Sequence, residues 1–352
     1  MSAEAETFPD RRSAASLFLA TAGIEGAEIR PLAGDASARR YFRIARGRER
    51  FVLMDAPRPA NEGMGFFVSV SDWLRARGLS APEVVAADLE QGFVLLEDLG
   101  DGLFARLLPP NPATADETTL YGAAVDLLAE LPAGTAPEGT APYDRAVLLR
   151  EARLATDWWA AGFGAVPGPD ALATYDALLS DALAPAFAGT AVTTLRDYHA
   201  ENLLWLPERA GCARVGLLDY QDALLGHPAY DLVSLLEDAR RDTTTELREA
   251  MIARYLERRD VHGAEAESFC AAYAALGAQR NLKIVGIFAR LCLRDGKPRY
   301  LELIPRVWAH LERDLAAPDL APLRRFVAAT IPAPDAEGLR RLAARAGQGI
   351  AA

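Results

Sequence analysis

The sequence predicts an α+β fold with two lobes, a small antiparallel β lobe over residues 1–98 and a larger, mainly helical lobe over residues 99–352. Short apolar and β-branched runs, which are typical of strands, are concentrated between residues 28 and 97. After residue 99, apolar residues recur mainly at helical spacing. A length of 352 residues is also long for one domain and suits two lobes.

The β lobe begins with a short amphipathic helix, predicted over residues 13–22. Five strand-like runs follow, each bounded by Gly, Pro or charged residues. They cover residues 29–32, 40–45, 51–54, 84–87 and 93–97. Between the third and fourth runs, Phe66, Phe67, Val70 and Leu74 follow a helical spacing that ends at Gly78. The pattern therefore predicts five antiparallel strands with one inserted helix.

The helical lobe contains two candidate capping boxes, in which a Thr precedes a Glu by three residues. Thr114 and Glu117 predict a helix to about residue 131, and Thr243 and Glu246 predict the start of another. Further helices are predicted near residues 143–162, 170–186 and 282–293. The Pro- and Gly-containing stretch 132–142 is interpreted as a loop within this lobe.

Composition and charge argue against several classes of function. A net charge of −11 disfavours nucleic acid or an anionic membrane as the main partner. Cys212, Cys270 and Cys292 lack metal-ligand spacing and predict reduced thiols in the cytoplasm. The acidic start lacks the apolar segment of a signal peptide, and the longest apolar helix candidate is too short to cross a bilayer. We expect a cytoplasmic monomer or weak dimer that acts on a small molecule.

The most informative segment contains Asp197, Asn202 and Asp219. Asp197 precedes Asn202 by five residues, and Asp219 ends the short apolar run 215–218. This order predicts a metal–phosphate site of the kind that kinases use, in which one carboxylate orients the attacking hydroxyl. The carboxamide and the second carboxylate would hold Mg²⁺, which prefers hard oxygen ligands and takes only one or two of them from the protein.

Simpler interpretations stay open for each of these residues. Asp197 could be a surface acid of a loop, Asn202 a turn residue, and Asp219 a cap at the end of a strand. Asp222 fits a second metal contact and a solvated loop acid equally well. Asp231 is interpreted as a cap or brace for the loop that carries Asp197 rather than as a reacting group.

In its order of parts, the chain resembles the aminoglycoside-phosphotransferase-like branch of the protein-kinase fold. These parts are a strand lobe, an acidic hinge, and a helical lobe in which the Asp-x4-Asn motif precedes Leu-Leu-Asp. Within that branch, residues 34–43 (GDASARRYFR), 52–57 (VLMDAP) and 88–93 (DLEQGF) are similar to bacterial N-acetylmuramate/N-acetylglucosamine anomeric kinases of cell-wall recycling. The resemblance covers nearly the whole chain. It implies a protein-kinase-like bilobal fold, ATP and Mg²⁺ as cofactors, and an amino sugar as the substrate.

The resemblance also implies a role for each matching residue. Asp197 would be the catalytic base, or the group that orients the acceptor hydroxyl, while Asn202 and Asp219 would bind Mg²⁺. The turn at residues 34–37 would cover the phosphates, and the hinge would offer backbone groups to adenine. The implied nucleotide-binding residues are Gly34, Ser37, Arg40, Arg43, Val52, Glu97, Leu99 and His199.

The chain departs from the pattern of its relatives at the phosphate-binding lysine. The corresponding position in the third strand is Met54, and the two lysines of the chain, Lys283 and Lys297, both lie in the helical lobe. An arginine would therefore have to bind the α- and β-phosphates, because its planar fork also matches phosphate oxygens. The candidates in or beside the second strand are Arg39, Arg40 and Arg43.

The sequence thus predicts an ATP-dependent kinase, and the resemblance favours the anomeric hydroxyl of N-acetylmuramate or N-acetylglucosamine as the acceptor. Another acceptor, such as an aminoglycoside or a choline-like amine, stays open. The missing lysine also leaves open an inactive nucleotide-binding module. A basic stripe at helical spacing has two interpretations, a solvated face or a pocket wall for an anionic sugar. Its members are Gln279, Lys283, Arg290 and Arg294.

Overall fold

The computed structural model describes residues 8–32, 39–57, 62–108 and 115–350. The chain divides into two compact units. The strand unit comprises Met1–Leu107, Ala136–Gly139 and Ala200–Ala223, and the helical unit comprises Leu108–Thr135, Thr140–His199 and Leu224–Ala352. The lobe boundary expected at residue 98 stays a prediction, since the units follow packing rather than chain order.

The strand unit is built around a five-stranded antiparallel sheet in the order β1-β2-β3-β5-β4. The strands are β1 (Glu28–Pro31), β2 (Arg40–Arg46), β3 (Glu49–Asp55), β4 (Val84–Asp88) and β5 (Phe93–Glu97). Among the described residues of this unit there are three α-helices, namely α1 (Phe8–Thr21), α2 (Met64–Arg75) and α3 (Phe104–Leu107). All five predicted strands and the inserted helix are confirmed, while α1 begins five residues earlier than predicted.

One face of this sheet packs against α1 and forms an apolar core. Its members are Ala15, Phe18, Leu19, Ile24, Phe42, Ile44, Leu53, Phe93 and Leu95. Because successive side chains of a strand point to opposite faces, Phe42 and Ile44 assign the even-numbered residues of β2 to the α1 face. Tyr41 and Arg43 therefore lie on the opposite face of the sheet.

The helical unit contains nine α-helices among the residues described. They are α4 (Ala115–Glu130), α5 (Arg145–Ala152), α6 (Pro169–Ala182), α7 (Ala229–Leu236), α8 (Thr245–Arg258), α9 (Gly263–Leu293), α10 (Ile304–Asp314), α11 (Ala321–Thr330) and α12 (Ala336–Ala343). A two-stranded antiparallel ribbon joins β6 (Val192–Thr194) to β9 (Leu224–Gly226). Within the described ranges, every helix is either too short or too polar to span a bilayer.

The start of α8 differs from the predicted capping box by one residue. The hydroxyl oxygen of Thr244, not that of Thr243, accepts the backbone N–H of Leu247 at 3.1 Å. The hydroxyl of Thr243 donates instead to the carbonyl oxygen of Leu236, the last residue of α7. The prediction was wrong because either of two adjacent threonines can cap a helix, and the preceding turn decides which one does. In the other predicted box, Thr114 lies outside the described residues.

The centre of the helical unit contains a buried pair of carboxyl groups. The side-chain amide of Asn281 donates to Glu237 Oε2 at 2.7 Å and to Asp314 Oδ2 at 2.9 Å. Glu237 is fully buried and Asp314 nearly so. Burial, followed by the charge of Glu237, raises the pKa of Asp314 well above its usual range. Asp314 therefore tends to keep its proton in the folded protein.

We expect Asp314→Asn to stabilise the protein at pH 8 relative to the natural chain and to have little effect near pH 4. A raised folded-state pKa means that the stability present at low pH is lost as pH rises through the folded pKa. Asparagine cannot ionise, so the variant avoids this loss of about 1.4 kcal/mol for each unit of pKa difference. Urea unfolding at the two pH values measures the effect. The exposed Asp319→Asn is the control, and a benefit that did not grow with pH would contradict the assignment.

Candidate functional site

The loop that carries Asp197 follows strand β6 in the helical unit and is fixed by α7. The carboxylate of Asp231 accepts the backbone N–H groups of Leu195 (Oδ2, 2.6 Å) and Arg196 (Oδ1, 2.8 Å). The hydroxyl of Ser234 donates to the carbonyl oxygen of Arg196 at 3.0 Å. Burial raises the pKa of Asp231 to about 7. Asp231 thus braces the loop, as the structural interpretation of this residue predicted.

The residue before Asp197 has an unusual backbone conformation. Arg196 has a φ of 70°, and the N–H of Asp197 donates to the carbonyl oxygen of Leu195 at 2.9 Å. A hydrogen bond across three residues with a positive φ at the centre is the arrangement of a strained γ-turn. Such strain persists only where surrounding contacts hold it, and it is concentrated at functional sites. The backbone at Asp197 is therefore set by its neighbours.

The side chain of Arg196 belongs to a largely buried cluster centred on Glu151 in α5. Arg196 pairs with Glu151 Oε1, and the hydroxyl of Tyr143 donates to Glu151 Oε2. The ammonium group of Lys283 lies 3.1 Å from Glu151 Oε2 and 3.3 Å from the hydroxyl of Tyr230. One carboxylate thus joins two cations and a tyrosine. The side chains of the three ionised residues are only 13–17% exposed.

The rest of this loop is anchored in the helical unit. The hydroxyl of Tyr198 donates to the carbonyl oxygen of Ala124 in α4 at 2.8 Å. His199, predicted to lie near the γ-phosphate, is buried. Its nucleotide contact stays a prediction.

Asn202 and Asp219 are brought together in the strand unit. Strands β7 (Leu203–Trp205) and β8 (Val215–Leu217) pair antiparallel, with Leu203 opposite Leu217. The N–H of Leu218 donates to the carbonyl oxygen of Asn202 at 2.9 Å, so the two predicted metal ligands lie just outside the paired strands. Asn202 Nδ2 is 3.5 Å from Asp219 Oδ2.

The chemistry of this pair fits Mg²⁺. A carboxylate and a carboxamide offer hard oxygen atoms, and a Mg²⁺ ion bound by one or two protein ligands completes its shell with water and phosphate oxygens. Among the residues described, no group of three or more His, Cys, Asp or Glu could hold a metal, and a site of this type needs none. Asp219 has a φ of 58°, and Gln221 Nε2 donates to its Oδ1 at 2.6 Å. Asp222 is exposed, and its role stays open.

Tyr220 fixes the backbone immediately after Asp219. Its ring stacks on Phe67 of α2 with centroids 5.2 Å apart, and its hydroxyl lies 2.8 Å from the hydroxyl of Ser71. Its side chain is almost fully buried. Tyr220 and Glu151 were missed by the sequence analysis. Tyr220 directly follows the predicted ligand Asp219 and could have been found from that position, whereas Glu151 has no local signal.

The predicted phosphate-binding arginines have different environments. Arg40 lies on the α1 face, where its guanidinium is 2.6 Å from Asp55 Oδ2. Arg43 lies on the opposite face and pairs with Asp98 at 2.7 Å and with Asp101 at 2.9 Å. Gly34 and Ser37 lie outside the described residues.

The other predicted nucleotide contacts lie on β3 and at the end of β5. Val52 is on the same sheet face as Arg43, its partner in the register of β2 and β3. The carboxylate of Glu97 is held by Arg209 at 2.5 Å and by Arg75 at 3.3 Å. Leu99 follows two residues later and is half-buried. Their contacts with adenine stay predictions.

The basic stripe on α9 is not one solvated face. Gln279 is fully buried and donates to the carbonyl oxygen of Leu148 at 2.9 Å. Lys283 belongs to the Glu151 cluster, whereas Arg294 is exposed and pairs with Asp295. Helical spacing placed these residues in line, but α9 is packed against several elements along its length, so their environments differ.

Comparison with known proteins supports the predicted family. A profile described as the phosphotransferase enzyme family (APH) matches residues 28–268. An N-acetylmuramate/N-acetylglucosamine kinase from Caulobacter vibrioides is 40% identical, covering 92% of this chain and 97% of that protein. A Pseudomonas aeruginosa protein of the same name is 38% identical, covering 86% of this chain and 88% of that protein.

A solved structure supports the fold. The choline/ethanolamine kinase family protein from Mesorhizobium loti has a TM-score of 0.57 and 12% identity, covering 95% of this chain and 99% of that chain. At this identity the similarity concerns the fold alone, and it confirms the predicted kinase-like α+β architecture. With the profile matched over residues 28–268, the chain belongs to the phosphotransferase enzyme family.

Proposed function

We propose that the protein is an ATP- and Mg²⁺-dependent kinase that phosphorylates the anomeric hydroxyl of N-acetylmuramate and N-acetylglucosamine. The observation that carries this proposal is the similarity to kinases named for both sugars, at 40% and 38% identity over 92% and 86% of the chain. The adjacent Asn202 and Asp219 side chains support the metal requirement. The braced backbone at Asp197 supports its role in orienting a hydroxyl group.

In the proposed reaction, Asp197 accepts a hydrogen bond from the anomeric hydroxyl and aims its oxygen at the γ-phosphorus. A new oxygen–phosphorus bond forms, the bond from the γ-phosphorus to the bridging oxygen breaks, and the hydroxyl proton leaves to Asp197. Asn202 and Asp219 would hold Mg²⁺, which would supply positive charge to neutralise the phosphates. An anomeric hydroxyl is more acidic than other sugar hydroxyls, so the reaction demands only modest base strength of Asp197.

A ³¹P NMR experiment tests the reaction and the acceptor together. The protein is incubated with ATP, Mg²⁺ and one acceptor at a time: N-acetylmuramate, N-acetylglucosamine, an aminoglycoside or choline. We expect a new acid-labile sugar 1-phosphate signal, together with ADP, for the two N-acetyl sugars. Turnover only with the aminoglycoside or choline would show that the proposed N-acetyl sugar acceptor is wrong. ATP that stayed intact with every acceptor would refute the proposed kinase activity.

Glu151 is a positioning residue in this scheme, because it holds the Arg196 side chain next to Asp197. We expect Glu151→Gln to lower kcat by about tenfold, or about 1.4 kcal/mol in activation free energy, with the KM for ATP unchanged. The amide keeps the shape of the side chain but loses the charge that Arg196 and Lys283 share. Steady-state kinetics well below the melting temperature measure the effect.

The matched control is Glu130→Gln, which removes a carboxylate from an exposed ion pair with Arg258. It should leave both constants unchanged. A fall in melting temperature without a change in kcat would show that Glu151 stabilises the unit without positioning Asp197.

A further inference from the structure

We propose that Arg280 in α9 is a positioning residue for Asp197. It acts through Ser234 and Asp231, two residues of α7 that hold the loop leading to Asp197, and it does so without touching the substrate. The inference rests on the proposed function, because it requires Asp197 to orient the acceptor hydroxyl. Every residue in this series of contacts belongs to the helical unit.

The backbone that leads to Asp197 is held at three successive peptide groups. The Asp231 carboxylate accepts the N–H groups of Leu195 and Arg196. The next peptide group joins Arg196 to Asp197, and its carbonyl oxygen accepts the hydroxyl of Ser234 at 3.0 Å. Asp231 and Ser234 are three residues apart in α7 and therefore lie on one face of this helix. The direction of the Asp197 side chain thus depends on both groups.

Arg280 fixes the Ser234 hydroxyl as a donor to the loop. Its Nη2 donates to Ser234 Oγ at 2.8 Å, and both side chains are buried. A guanidinium has donors and no acceptor, so the hydroxyl cannot donate back to it. The hydroxyl of a serine within a helix can otherwise turn to the carbonyl oxygen four residues earlier, here that of Tyr230. The positive charge of Arg280 directs the hydroxyl proton away from itself and towards the carbonyl oxygen of Arg196.

The same charge favours the ionised form of Asp231. Only an ionised carboxylate accepts an N–H group on each oxygen, because a protonated carboxyl group uses one oxygen as a donor. Burial raises the pKa of Asp231 to about 7, the like charge of Asp197 adds to this rise, and Arg280 opposes it. The brace is therefore lost as pH falls through about 7, and removing Arg280 would move this loss to higher pH.

Other ionisable groups around α7 do not supply this positive charge. Tyr255 of α8 is neutral at pH 7, because burial raises the pKa of its hydroxyl to about 12. Glu117 of α4, which also packs on α7, is an acid and pairs with Arg241. Among the described groups that act on Asp231, Arg280 is thus the cation that favours ionisation.

The burial of Arg280 is costly and fits a specific role in the core. Its side chain is 5% exposed, and its Nη1 has no hydrogen-bond partner among the described residues. A buried charge costs free energy unless it is paired. The adjacent Asn281 donates to Glu237, the residue that follows α7, so α9 contacts α7 at two places. These contacts hold Arg280 beside the two residues that brace the loop.

The pH dependence of kcat tests this assignment. We expect Arg280→Met to lower kcat about tenfold at pH 6.5 and to move the acidic limb of the profile about one unit to higher pH, with the KM for ATP unchanged. At pH 9 Asp231 is ionised in both proteins, so most of the loss should be recovered. Arg280→Lys keeps the positive charge and should return the acidic limb most of the way to its natural position.

Ser234→Ala tests the hydroxyl contact separately and serves if Arg280→Met does not fold. It removes the donor to the Arg196 carbonyl oxygen but keeps the charges of Arg280 and Asp231. We therefore expect kcat to fall by about three- to tenfold at every pH, with the acidic limb unmoved. A natural kcat in folded Ser234→Ala would overturn the contact as a means of positioning Asp197.

The matched control is Arg248→Met, which removes another buried arginine of the same unit, one whose charge acts on Tyr273. Its acidic limb should match that of the natural protein. If Arg280→Met kept the natural profile, or lowered kcat by one factor at every pH without rescue by Arg280→Lys, the positioning role would be overturned and the proposed kinase would stand. A natural protein without turnover would overturn both.

Discussion

Asp197→Asn is expected to lower kcat by roughly 10²–10⁴-fold while the affinity for ATP stays unchanged. The amide matches the carboxylate in size but cannot accept the proton of the acceptor hydroxyl. The backbone at this residue is held by groups other than its own side chain, namely Asp231, Ser234 and the hydroxyl of Tyr198. The variant should therefore fold, and its lost activity should report on chemistry rather than on stability.

Steady-state kinetics with N-acetylglucosamine and calorimetry with ATP measure the two constants separately. Asp170→Asn is the control, since Asp170 is an exposed residue in the first turn of α6. If Asp197→Asn kept a kcat within a factor of two of the natural enzyme, Asp197 would be neither the base nor the group that orients the acceptor.

The strands could be predicted because their signal is local. β5 was predicted at both of its ends, since an unbroken apolar run lies between Gly92 and the acidic Glu97–Asp98 pair. Helix α1 begins at Phe8, five residues before the predicted start, and has Pro9 in its first turn. Proline is tolerated in the first turn of a helix, where its missing N–H has no partner to lose.

The proximity of Asn202 and Asp219 could also be predicted from the sequence. Asn202 directly precedes β7 and Asp219 follows β8 by two residues, so the pairing of these two strands in a single hairpin brings them together. The residues that hold the site in place could not be predicted in this way, because their partners are distant in the sequence. Tyr220 contacts Ser71 across 149 positions in the chain, and Arg196 pairs with Glu151 across 45. Contacts between such distant positions depend on packing, which no local pattern in one sequence records.

The three candidate arginines illustrate the same limit. Alternation along β2 shows that Arg40 faces away from Arg39 and Arg43, but it does not show which face of the sheet is covered. The packing of α1 on Phe42 and Ile44 supplies that information. Arg43, on the opposite face, pairs with Asp98 and Asp101, and no local pattern in the sequence indicates this contact.

Asp219→Asn is expected to remove the strengthening of ATP binding by Mg²⁺, a loss of at least about 100-fold in affinity or about 2.7 kcal/mol. Asparagine is preferred to alanine here because the residue has a φ of 58°, a conformation that asparagine tolerates and alanine does not. The substitution keeps the size of the side chain and removes the negative charge that a divalent cation requires.

The comparison that isolates the metal is ATP affinity with Mg²⁺ against ATP affinity with EDTA. In EDTA the natural protein and Asp219→Asn should bind ATP with equal affinity, and only the natural protein should gain when Mg²⁺ is added. Asp72→Asn removes an exposed carboxylate from α2 in the same unit and should keep the full gain. If Mg²⁺ strengthened ATP binding equally in Asp219→Asn and the natural protein, Asp219 would not be a metal ligand.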